Sequence, residues 1–127
     1  MYIIYDNTTK EYINIVKNLP ADMRPGTAYK QVANDYDWRN SYIDDADALQ
    51  VKTDLPYSFA SGIFSTTATD DTLNITVTKF DDVIMVTTIK NFILDLIIST
   101  TLDLSEYIGY NYTCTSKKYK TVTTVVT

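Results

Sequence analysis

The side chains of this chain most suited to chemistry are its aspartates. They fall in groups: Asp35 and Asp37; Asp44, Asp45 and Asp47; Asp70 and Asp71; Asp81 and Asp82. Carboxylate oxygens are hard ligands for calcium, and two carboxylates about 5–10 Å apart across a cleft can hydrolyse a glycoside. None of the groups fits a twelve-residue calcium loop with a central glycine and a closing glutamate, and Asp44, Asp45 and Asp47 come nearest. Aspartate also belongs in turns, where its carboxylate accepts from local backbone N–H groups. The chain has no histidine, which removes the commonest general base, the Ser-His and Cys-His dyads and most zinc sites. With 3 glycines there is no phosphate-cradling loop, and Ser61-Gly62 lacks the flanks of a nucleophile elbow. These residues predict a protein that is not an enzyme and holds no metal or cofactor.

Recognition by contact is the remaining chemistry. Tyrosine outnumbers phenylalanine 11 to 4, and a tyrosine offers apolar area while its hydroxyl stays wet. Tyr36, Trp38 and Tyr42 are close enough in sequence to form a stacking platform for a surface glycan, with a core role for Trp38 as the competing reading. At the other end, Tyr119 to Thr127 has no Pro or Gly and no charge after Lys120. Tyr119, Val122, Val125 and Val126 would then lie on a sheet edge open to another chain, with a strand internal to its own sandwich as the competing reading. The guards Lys117, Lys118 and Lys120 stand before that run. Asn7-Thr8-Thr9, Asn74-Ile75-Thr76 and Asn111-Tyr112-Thr113 match the glycosylation pattern, as chance allows in a chain rich in Asn and Thr.

Net charge is −5, which favours solubility and disfavours a nucleic-acid partner. The most apolar stretch, Val83 to Leu102, is broken by Lys90 and Asp95 and is not expected to span a membrane. No basic, then apolar, segment follows Met1, so no secretory leader is expected. Cys114 is the single cysteine; alternation puts it on one strand face with Tyr110 and Tyr112, as a buried structural thiol.

Strands must position these groups. Tyr2–Tyr5 and Tyr12–Val16 predict a hairpin around the polar turn at 6–11, followed by an irregular stretch from Lys17 to Gly26. Strands are expected at Tyr29–Val32 and Ser41–Ile43, then a connector from Asp44 to Pro56. Beyond it Leu73, Ile75 and Val77 alternate with Asn74, Thr76 and Thr78, the pattern of a half-buried strand. Val83–Ile89, apolar on both faces, predicts a central strand, with Asn91 as a turn. Phe92, Leu94, Leu96, Ile98 and Leu102 would share one face of the next strand. A helix over 91–99 competes, and the β-branched residues at 97–101 weigh against it. A helical turn within 103–109 and a hairpin around Ser116-Lys117-Lys118 complete the chain. The expected fold is mainly β: a small N-terminal β-hairpin module with connector, 1–56, then an antiparallel β-sandwich-like domain, 57–127.

Residues 1–56 carry a likeness. The run Met1, Tyr2, Ile3, Ile4, Tyr5, Asp6 is followed by a polar turn, by Tyr12–Val16 and by Lys17, Asn18, Leu19, Pro20. Tyr29–Val32, Asn34–Asp37, Tyr42-Ile43-Asp44 and Asp54-Leu55-Pro56 complete the order. This resembles the small N-terminal β module of tail, baseplate and fibre-associated proteins of bacteriophages. The resemblance implies a non-enzymatic structural part of the virion, made in the host cytoplasm. Its partners would be other virion proteins, with a homo-oligomer among the options. The C-terminal part equally resembles a capsid-decorating sandwich. A carbohydrate- or receptor-binding β module is the alternative function.

Overall fold

The computed structural model describes residues 1–127. The chain divides into two compact units, Met1–Lys52 and Thr53–Thr127. Thr53–Pro56, expected with the first, belongs to the second: Thr53 bridges to Tyr119, and Leu55 is buried in the second unit's core.

In the first unit β1 (Tyr2–Asp6) lies between β2 (Tyr12–Val16) and β3 (Thr27–Gln31), antiparallel to both. A central strand has neighbours on both sides, so Ile3, Ile4 and Tyr5 are all buried. The polar turn forms because the Asp6 carboxylate accepts from the backbone N–H of Thr8 and Thr9, while Lys10 takes a left-handed conformation. Those hydrogen bonds hold the Asp6 carboxyl below the usual carboxylate range. The expected connector contains structure: β4 (Ser41–Ile43) pairs with β5 (Leu49–Val51). Their turn is organised by Asp44, whose Oδ1 accepts from the N–H of Ala46 and Ala48. A three-residue run with one exposed valine offers too little alternation to be read as a strand in advance.

The second unit is an antiparallel sandwich. One sheet has the order β10-β7-β6, made by β6 (Tyr57–Ala60), β7 (Ile63–Thr66) and β10 (Thr101–Asp103). The other has the order β12-β11-β8-β9, from β8 (Thr72–Asp81), β9 (Val86–Asp95), β11 (Asn111–Thr115) and β12 (Val122–Val125). Between them Leu73, Ile75, Val77, Tyr112 and Cys114 meet Phe64 and Leu104, and Tyr112 stacks on Phe64 with ring centres 5.9 Å apart. The alternation along Leu73–Thr78 and the inward face shared by Tyr112 and Cys114, with Tyr110 packed beside them, are as expected. The β6–β7 turn, Ser61-Gly62, has positive φ at both residues, the geometry whose twist matches a tight hairpin. Asp103 accepts from the N–H of Ser105 and opens a single 3-10 turn at Ser105–Tyr107.

Three expectations fail in the Val83–Leu102 region. Val83, Ile84 and Met85 are not in a central strand; they form the tip of the β8–β9 hairpin, and β9 is an edge strand. Asn91 is not a turn, since it pairs with Thr76 inside the ladder. The strand starting near Phe92 stops at Asp95, whose carboxylate accepts from the N–H of Ile97, so Ile98 leaves the face shared by Phe92, Leu94 and Leu96. An apolar run does not reveal whether its second face is covered by protein or left open. The last hairpin also differs, because a loop separates β11 from β12 and its Tyr119 bridges to Thr53.

Candidate interaction surface

In the first unit Tyr36, Trp38 and Tyr42 are each half-buried. Trp38 opens a 3-10 turn, Trp38–Asn40, and its carbonyl accepts from the Ser41 hydroxyl, which also bonds Tyr12 Oη at 2.6 Å. The Arg39 guanidinium sits 4.4 Å from the centre of the Trp38 ring and covers one of its faces. No ring pair joins Tyr36, Trp38 and Tyr42; the unit's aromatic pair is Tyr2 with Tyr29. Two of the three carboxylates that follow, Asp44 and Asp47, are engaged by their own fold. Asp44 serves its turn and Gln50, while Asp47 accepts from Tyr5 and from Lys10, the latter at 2.8 Å. The Lys10 ammonium holds the Asp47 carboxyl below its usual range.

In the second unit the two free edges of the four-stranded sheet are β9 and β12. On β12, Val122 is half-buried and Val125 is open, while Val126, just past the end of the strand, is wholly buried in the core. The backbone beyond is tied down: Val126 N–H donates to Tyr110, and the Val126 and Thr127 carbonyls accept from Gly109 and Gly62. Tyr119 reaches Asp70, which also pairs with Lys118 at 3.1 Å. Lys118 is thus engaged with the fold rather than standing guard over the edge. A depression of about 400 Å³ lined by Pro56, Tyr57, Ser58, Ser65, Thr66 and Thr67 carries no charged side chain, and the Tyr57 ring packs on Phe59 and Phe64.

The other edge carries what sequence reasoning missed. β11 pairs with β8 between Asn74 and Thr78, so Lys79–Asp81 and their partners Val86–Thr88 run on as a two-stranded arm. Phe80, Val86 and Ile89 on this arm and at its base are 50–56% exposed, and the tip residues Val83, Ile84 and Met85 are 63–91% exposed. At the far end of β9, Ile93, Ile97 and Ile98 are 77–83% exposed. Met85 also has φ +56°, a left-handed conformation ordinarily taken by Gly or Asn. One charged side chain, Lys90, interrupts the edge between Val83 and Leu94. Soluble monomers ordinarily blunt a strand edge with charge, proline or a cover, and contiguous exposed apolar surface marks contact sites. The available signal was the pairing of Asp81-Asp82 with an apolar run. Asp81 forms the turn by accepting from Val83 N–H at 2.9 Å, which places the run at a tip.

Comparison of the chain with protein families, with curated proteins and with solved structures yields no match.

Proposed function

We propose that this chain is a non-enzymatic structural component of a bacteriophage particle, associated with tail, baseplate or fibre, working through protein–protein contact. The observation carrying the assembly role is the open β9 edge, with its arm and exposed isoleucines. Burying an exposed isoleucine gains about 1.5–3 kcal/mol, and an unpaired strand edge adds a row of backbone hydrogen bonds to whatever docks there. The place in a phage particle rests on the pattern of residues 1–56. Capsid decoration is the second reading, favoured by the sandwich form of the second unit. A glycan platform at Trp38 is disfavoured by the Arg39 guanidinium lying over the ring. Quantitative mass spectrometry of purified particles from the encoding phage, with immunogold labelling, tests the proposal. A fixed stoichiometry with label on the tail supports it; label on the shell supports decoration; absence from purified particles refutes both.

A further inference from the structure

The exposed apolar residues around β9 are arranged symmetrically in sequence about Asn91. Ile89 and Ile93 lie equally far on either side of it, as do Met85 and Ile97, and Ile84 and Ile98. An antiparallel strand meeting a copy of itself matches each residue with the one equally far beyond the two-fold axis. We infer that β9 pairs antiparallel with β9 of a second copy of this chain, with Asn91 on the two-fold axis, joining the two four-stranded sheets into one. This deepens the assembly reading above and rests on it for its biological setting.

In that register Ile89 faces Ile93 of the second copy on the outer face of the sheet, twice. Each arm then runs alongside the other copy's Ile97-Ile98 turn, so Met85 and Ile84 meet Ile97 and Ile98. Neighbouring registers lose this match. With Lys90 on the axis, two like charges stand opposite and Ile98 faces Asp82; with Phe92 on the axis, Ile89 faces Asp95. Asn91 suits the axis. Its Oδ1 accepts from the Thr76 hydroxyl at 3.0 Å, leaving Nδ2 to donate to the second copy's Asn91. The six matched side chains are 56–83% exposed. At roughly 70 Å² each they supply about 400 Å² of apolar surface per copy. That is half of the about 800 Å² per partner of a standard interface; the ladder from Thr87 to Asp95 and the remaining arm residues contribute the rest.

Sedimentation of the full chain at micromolar concentration tests the pairing, with a mass twice 14.4 kDa expected. Asn91→Cys should oxidise to a covalent dimer, because residues opposite on an axis have Cα atoms about 4.5–5.5 Å apart. Thr123→Cys on the β12 edge should form no covalent dimer under the same oxidant, and buried Cys114 does not compete. The double variant Ile89→Lys, Ile93→Lys should sediment as a monomer with an unchanged far-UV spectrum. A monomeric native chain overturns the inference, as does cross-linking through residue 123 and not 91, or a monomer that floats with phosphatidylcholine vesicles. A monomer incorporated into particles overturns the pairing and leaves the assembly role intact; a cross-linked dimer absent from particles does the reverse.

Discussion

Tyr112 is wholly buried, and its hydroxyl makes no hydrogen bond. The Cys114 thiol, two residues along the same strand face, interacts with the hydroxyl, but sulfur is a weak acceptor and the pair falls outside hydrogen-bond geometry. A buried hydroxyl without a partner retains a desolvation cost of about 1–3 kcal/mol. Tyr112→Phe removes that cost and keeps the ring contacts with Phe59 at 5.2 Å and Phe64 at 5.9 Å. Against this stands the small void left by one oxygen, roughly 10 Å³ at about 24 cal/mol per Å³, or about 0.2 kcal/mol. The variant is therefore expected to be more stable by about 1 kcal/mol at pH 7, raising the melting temperature by about 4–8 °C for a unit of this size. Burial also pushes the Tyr112 pKa far above its ordinary value. With the folded pKa raised, the unfolded chain ionises first, so the native chain loses stability as pH rises above about 10. The Tyr112 contribution approaches about 1.4 kcal/mol per pH unit, and Tyr112→Phe removes it while leaving those of Cys114, Tyr5, Tyr12 and Tyr119, whose pKa values are also raised. Urea denaturation of both proteins at pH 7 and pH 10.5, followed by near-UV circular dichroism, measures both effects. If Tyr112→Phe is destabilised by more than about 1 kcal/mol at pH 7, the hydroxyl has a partner and the reasoning fails.

Gly62 has φ +79°, and a Cβ there would lie 2.5 Å from the Ser105 backbone. Gly62→Ala should cost about 2–4 kcal/mol, read as a lowered urea midpoint; an unchanged midpoint refutes the close approach. Burial raises the Cys114 pKa, so labelling by a bulky maleimide at pH 8 should be far slower than for a free thiol. Labelling at the free-thiol rate would show that the β11 inward face is wrongly assigned. Deleting Val122–Thr127 removes buried Val126, its backbone bonds to Gly109 and Tyr110, and the Thr127 bond to Gly62. Loss of near-UV signal from the second unit is expected, and a cooperative thermal transition as high as the native one would contradict it.

The class of fold was legible in the sequence because its cause is local. Alternation along Leu73–Thr78 puts successive side chains on opposite faces wherever the strand goes, and Asp6 builds its turn from neighbouring N–H groups. The face shared by Tyr110, Tyr112 and Cys114 followed from the same period of two. Strand order had no such local cause. The Val83–Ile89 run has the composition of a central strand, yet only pairing between residues distant in the chain decides which strand has a neighbour on each side. That pairing put β8 between β9 and β11, left β9 at an edge and carried Val83–Met85 to an exposed tip. The edge position of β12 was one of two readings its composition allowed, and the burial of Val126 was in neither. The anchoring of Val126 by Gly109 and of Thr127 by Gly62 depends on two turns brought beside them by the sandwich, a contact that no window along the chain contains. Local chemistry thus determined the strands and turns, while long-range pairing alone decided which apolar residues were buried and which remained exposed.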